Sequence, residues 1–168
     1  MIIRLERTED FKEIRNINIE AFDTETEANL VEALRNSGIP IISLIAEERG
    51  ILVGHVLFSQ VTLEPDNSKV SIAGLAPMAV LPSLQKKGIG SMLVKAGIEY
   101  CKDADYGAIV VLGHPGYYPR FGFIPSVNYG IKSEYDVPDD VFMVKELHDG
   151  SLATCGGTVK YHEVFNQL

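Results

Sequence analysis

Two glycines preceded by two lysines carry the first chemical signal in this chain. In "LQKKGIGSMLVKAG", residues 84–97, Gly88 and Gly90 stand one residue apart just ahead of a helical pattern, with Lys86 and Lys87 before them. Glycine at a helix start costs stability relative to alanine unless the backbone needs the room. A helix N-terminus presents unpaired N–H groups and a partial positive charge, which makes it a ready anion site. With no Cβ at 88 and 90, a phosphate can reach those N–H groups, and the lysines add charge at the same spot. The local chemistry is that of a phosphate, and of a pyrophosphate in particular. The P-loop spacing is absent, and Leu93 stands where the dinucleotide fingerprint needs its third glycine.

A second set of residues could move protons. Tyr117 and Tyr118 lie in the turn-rich, aromatic stretch "HPGYYPRFGF", and a phenol suits a general acid. Glu64 ends a strand-like run, His114 follows "VVLG", and His55 sits on a strand where alternation leaves its face open; each is a candidate base. The loop "SEYDVPDD" concentrates Glu134, Asp136, Asp139 and Asp140, charge that would favour a cationic amine. Cys101 and Cys155 have neither metal-ligand nor disulfide-framework spacing, so no metal is expected.

These groups need elements to hold them. Thr8 is placed to cap a helix with Glu9 and Asp10 in its first turn and Phe11, Ile14, Ile17 and Ala21 on one face. Thr24 and Glu27 have capping-box spacing for a second helix, with Leu30, Val31 and Leu34 inward and "NSG" at 36–38 as its stop. The chain is thus expected to open with two helices. Strand-like runs follow at "IISLIAEE", "ILVGHVLFSQVTL" and "VSIAGLAPMAV", separated by "RG" and "EPDNSK", which reads as an antiparallel meander. "GIGSMLVKAGIEYCK" carries Ile89, Met92, Leu93, Ala96 and Tyr100 on one helical face, and "GAIVVLG" is a buried strand. Strand, helix, strand implies a right-handed parallel crossover over residues 75–112. "VFMVKEL" reads as a further strand, and "TVKYHEVF" as a weaker one. The fold class is α/β (α+β): a mixed, mostly antiparallel sheet with a central parallel βαβ unit and flanking helices.

The bulk numbers narrow the partners. A chain of 168 residues suits a single domain, 1–168, with one core. A formal net charge of −8 disfavours nucleic acid, whose phosphates attract basic faces, and weakly favours cations such as amines. No apolar run approaches the roughly 20 residues of a membrane helix, and "MIIRLERTED" lacks a signal peptide's apolar stretch. A cytoplasmic location is expected, and oligomeric state leaves no signature.

Taken together, the loop, the element order and the tyrosine resemble the GNAT superfamily of N-acetyltransferases. Its phosphate loop, Q/R-x-x-G-x-G/A, is matched by Gln85, Gly88 and Gly90, and its tyrosine four residues before Gly-Phe by Tyr118, Gly122 and Phe123. The resemblance is clearest over residues 2–148. Two departures are a short segment between "VVLG" and Tyr118 and no asparagine within it.

The resemblance implies acetyl-CoA as co-substrate, its pyrophosphate on the amides of Gln85, Lys86, Lys87, Gly88, Ile89 and Gly90, with a hydroxyl contact from Ser91. It implies that the strand before the loop splays from its parallel neighbour, a role suited to Pro77, which cannot donate to a ladder. Met78, Ala79 and Val80 would then pair with the pantetheine amides through their backbone. A neutral amine would attack the thioester, an N–H near Met78 would stabilise the oxyanion, and Tyr118 would protonate the thiolate, with Tyr117 as a neighbour able to substitute. The acceptor, a primary amine of a small molecule or a protein, is left open, as is the base, Glu64 or His114. The alternative is a non-catalytic module that binds or senses acyl-CoA.

Overall fold

The computed structural model describes residues 1–65 and 70–166, so most of the expected "EPDNSK" turn lies outside the described residues. The chain forms two compact units: Met1–Ser59 with Ala76–Gly97 and the segment from Glu163, and Gln60–Leu75 with Ile98–His162.

The first unit opens with a strand, β1 (Ile2–Leu5), and not with a helix. Over four residues with both ends exposed no face pattern is readable; antiparallel pairing, from Ile2↔Glu47 to Leu5↔Leu44, is what identifies it. A 3-10 turn (Thr8–Asp10) leads into α1 (Phe11–Phe22), and Thr8 is part of that turn with no capping bond. Asp10 makes no side-chain cap on α1 but closes the turn that precedes it. Its carboxylate accepts the Arg7 N–H at 2.7 Å and a two-pronged contact from Arg4 at 2.8 and 3.1 Å. The hydrogen bonds from Arg4 hold Asp10 below the usual carboxylate range. Before α2 (Thr26–Ser37), the Thr24 hydroxyl accepts the Thr26 N–H at 3.0 Å and donates to Glu27 at 3.2 Å, a looser arrangement than a full capping box. Gly38, at φ +84°, ends the helix as its position after "NS" suggests.

Strands β2 (Ile41–Glu48) and β3 (Ile51–Glu64) form an antiparallel hairpin. Arg49 and Gly50 both have positive φ, the turn whose twist matches the flanking strands. β4 (Ile72–Val80) lies beside β3, giving the order β1-β2-β3-β4. Ile14 of α1 and Leu30, Val31 and Leu34 of α2 bury against Ile45 and Leu57, and Val164 and Phe165 of the final 3-10 turn (Glu163–Asn166) pack on that cluster. The expected strand "TVKYHEVF" is therefore a short strand followed by a turn.

The parallel crossover is present. Helix α3 (Ile89–Asp103) connects β4 to β5 (Ala108–Leu112), and the two strands pair in parallel from Ile72↔Ala108 to Leu75↔Val111. The remaining strands are β6 (Ile124–Pro125), β7 (Ile131–Ser133), β8 (Phe142–Glu146) and β9 (Gly157–Lys160). β8 runs antiparallel to β5 and β6, and β9 antiparallel to the end of β3 and parallel to β7. The result is a mixed, mostly antiparallel sheet with a parallel βαβ unit and flanking helices.

Candidate active site

The loop ahead of α3 is built outward from the end of β4. Leu81 donates its N–H to Val53 at 3.0 Å, and a 3-10 turn (Pro82–Leu84) follows. Gln85 then reaches back, its side-chain Nε2 donating to the Val80 carbonyl at 3.0 Å, so the loop is tied to the strand that precedes it. Lys86 and Gly88 both adopt left-handed backbone, at φ +63° and +89°. A Cβ on Gly88 would meet nothing within 4 Å, so glycine is needed there for its conformation, and the space beside it is open.

The Met92 N–H donates to the Gly88 carbonyl at 3.1 Å at the start of α3, the end at which a helix presents its N–H groups. Lys86 and Lys87 are exposed, Gly90 and Ser91 half-buried, and Ile89 is buried among the residues around Gly54, leaving only its backbone to face a ligand. Successive turn amides ahead of a helix N-terminus, with lysines in the same loop, are the kind of arrangement that binds anions. Met78, Ala79 and Val80 close β4, beyond Leu75, the last residue in register with β5. Pro77, preceded by a cis peptide bond, falls at this departure.

Tyr118 begins a 3-10 turn (Tyr118–Phe121), the short helical segment that the short linker allows. Its ring lies where a Cβ on Gly113 would stand, a close approach that the sequence shows only as a turn glycine. Tyr117 and Phe123 meet it edge-on at 5.1 and 5.7 Å, and Tyr118 is 8% exposed. Burial, with Tyr117 adding to it, pushes the phenol up to about 12, so at neutral pH it holds its proton. Tyr117 is half-buried, with the Arg120 guanidinium 4.6 Å from its ring centre; Arg120 also donates to the Tyr117 carbonyl at 2.9 Å and stiffens the turn.

The candidate bases separate. His55 is not a base open to substrate: it is wholly buried, on a stretch of β3 that is covered on both faces. Asn18 Nδ2 donates to the Ile14 carbonyl at 2.9 Å and to His55 Nδ1 at 3.2 Å; His55 Nε2 donates to Ser43 Oγ at 2.8 Å. Ser43 donates onward to Glu6, which Arg35 holds at 2.8 and 2.9 Å. Burial pushes His55 down to about 4, leaving it neutral.

His114 is exposed, but its Nδ1 accepts the Gly116 N–H at 3.0 Å, so the neutral ring carries its proton on Nε2. Glu64 is exposed at the end of β3, paired with Thr158 of β9. In the acidic loop, Glu134 Oε2 accepts the Tyr161 N–H at 2.6 Å, and the loop ends at Val141, whose carbonyl accepts the Gly113 N–H at 2.9 Å. Tyr118, His114 and the acidic loop therefore belong to one unit, the phosphate loop and residues 78–80 to the other. Among the described residues no group of three or more His, Cys, Asp or Glu could hold a metal ion.

Residues 6–123 match the acetyltransferase (GNAT) family. The chain is 32% identical over 169 residues to the uncharacterised N-acetyltransferase YhbS of Escherichia coli, covering all of both chains. The crystal structure of that protein in complex with CoA superposes with a TM-score of 0.92, over 98% of this chain and 91% of the other. A GNAT family acetyltransferase from Brucella melitensis, in complex with acetyl-CoA, is also 32% identical, with a TM-score of 0.80 over 98% and 97% of the two chains. With a family match over most of its length and relatives of this identity along all of it, the chain belongs to the acetyltransferase (GNAT) family.

Proposed function

We propose that this chain transfers an acetyl group from acetyl-CoA to a primary amine of a small molecule or a protein. The observation that carries the reading is the loop at residues 85–91, whose backbone turns left-handed twice, at Lys86 and Gly88, just before the N-terminus of α3, with Lys86 and Lys87 exposed in it. Two relatives at 32% identity, one crystallised with CoA and one with acetyl-CoA, support the choice of ligand.

In this reading the pyrophosphate lies on the amides of residues 85–90, with Ser91 adding a hydroxyl. The pantetheine arm pairs with the backbone of Met78, Ala79 and Val80. The amine nitrogen attacks the thioester carbonyl; a C–N bond forms as the C–S bond breaks, and an N–H near Met78 stabilises the oxyanion. Tyr118, protonated throughout the neutral range, gives its proton to the departing thiolate, and the proton that the attacking nitrogen sheds as it becomes an amide passes to water, from which the phenol is restored. The ammonium form of the acceptor first loses a proton to Glu64, to His114 or to water. His114 would have to release the Gly116 N–H to take it on Nδ1, which favours Glu64 or water.

Calorimetric titration with acetyl-CoA, with NAD and ATP as controls, tests the donor. Binding of acetyl-CoA alone is expected, and its absence overturns the reading. Release of free thiol with a panel of amines then separates an enzyme from a module that binds acyl-CoA without turnover.

A further inference from the structure

The phosphate loop and the end of β4 belong to the same compact unit, and one side chain ties them together. Leu81 donates its N–H to the Val53 carbonyl of β3. The Val80–Leu81 peptide bond is trans, so the Val80 carbonyl points the opposite way, off the side of β4 that faces away from β3. The Ala79 carbonyl lies on the β3 side, 3.4 Å from where a Cβ on Gly54 would stand, so the Val80 N–H also points away from β3. Pairing with β5 on that far side ends at Leu75. The edge of β4 that the pantetheine arm would use is therefore the edge that carries the Val80 carbonyl.

Gln85 Nε2 donates to that carbonyl at 3.0 Å. A carbonyl oxygen only accepts, so the position needs a donor and a carboxylate could not replace the amide. Two other bonds close the turn, from the Leu84 N–H to the Leu81 carbonyl at 2.9 Å and from the Gln85 N–H to the Pro82 carbonyl at a loose 3.5 Å. Of the three, the Gln85 side chain is the one that reaches back to the strand. Lys86 and Gly88 turn left-handed directly after it, so the place of Gln85 sets the place of the amides that follow.

A ligand held at a phosphate site and along a strand edge binds by two linked halves, and the second half adds affinity only where the spacing of the two sites matches the ligand. We infer that Gln85 is a positioning residue: its bond to the Val80 carbonyl fixes the spacing between the pyrophosphate loop and the strand edge, so that both halves of acetyl-CoA are engaged at once. The inference rests on the acetyltransferase reading.

The test is calorimetric, with acetyl-CoA against adenosine 3′,5′-bisphosphate, which keeps the nucleotide and one phosphate of the pyrophosphate and lacks the arm. Gln85→Met has a side chain of the same length with no donor. It should bind acetyl-CoA about fivefold more weakly than wild type, the scale of one net hydrogen bond, and the bisphosphate with nearly unchanged affinity. Gln85→Arg, which keeps a donor, should hold most of the acetyl-CoA affinity. A side chain that merely shaped the loop would weaken both ligands alike. That result, an undiminished acetyl-CoA affinity in Gln85→Met, or an equal loss in Gln85→Arg would overturn the role of Gln85 and leave the acetyltransferase reading standing. Wild-type protein that fails to bind acetyl-CoA would overturn that reading and this inference with it.

Discussion

Tyr118 and His55 show how the same chemistry, a titratable ring in a packed interior, leads to opposite uses. Tyr118 is buried but begins a turn, with its ring laid on Gly113, and burial raises its pKa to about 12. A group that stays protonated contributes no inflection to a rate profile between pH 6 and 9. Replacing it by Phe should lower kcat by about 100-fold, the lower end of general acid–base contributions, with acetyl-CoA affinity nearly unchanged. Steady-state kinetics beside calorimetry checks both halves, and a wild-type rate in the variant would remove the acid from Tyr118. His55 instead belongs to the stability of α1, β2 and β3, through Asn18 and Ser43. Its folded pKa, about 4, is below the ordinary 6.5, so the unfolded chain binds the proton more readily. Stability is therefore full above pH 6.5 and declines as pH falls from there toward 4. That gap corresponds to about 3 kcal/mol. Denaturant unfolding at pH 7 and pH 4.5 should show the decline, and His55→Gln should flatten it, Glu6 and Arg35 being the charges that face this network. No histidine pattern could have told these roles apart in advance, because alternation on a strand covered on both faces assigns no side.

At the scale of elements, legibility followed length and period. α3 and β5 were readable because fifteen residues at helical spacing and a five-residue apolar run leave few alternatives, and the parallel crossover follows from their order. β1, β6, β7 and β9, with two to four residues each, exist by virtue of their partners and have no period of their own. The turn-closing role of Asp10 was hidden for a related reason: it depends on Arg4, which β1 must first bring into place. The phosphate loop was legible in composition, but the tie from Gln85 to Val80 and the left-handed Lys86 needed coordinates. Gly88→Val tests this element. A β-branched residue at φ +89° is strained by about 1–3 kcal/mol. Because Gly88 has open space around it, the strain should fall on the loop while the fold persists. Acetyl-CoA affinity is expected to drop at least tenfold with a cooperative thermal transition retained; undiminished affinity would detach the loop from the pyrophosphate.

For the whole molecule, a formal charge of −8 sets a problem that the proposed function has to solve: an acidic protein must attract a polyanionic co-substrate. Lys86 and Lys87, both exposed beside the α3 N-terminus, supply a local field opposed to the global one. The two fields are screened alike over a Debye length of about 10 Å at 0.1 M salt, but they act on the ligand with opposite signs. In the wild type the nearby attraction dominates, so added salt should weaken acetyl-CoA binding. With Lys86→Gln and Lys87→Gln together, the long-range repulsion is what remains, and added salt should weaken binding far less or strengthen it. At low salt the double variant should bind about tenfold more weakly, two partly screened charge pairs at about 0.5–1 kcal/mol each, and the two proteins should converge at high salt. Titrations at 20 and 500 mM salt decide it. Parallel salt dependences in the two proteins would mean that the lysines are not beside the pyrophosphate. An anion site elsewhere would then have to be sought on a surface whose other charges mostly repel it.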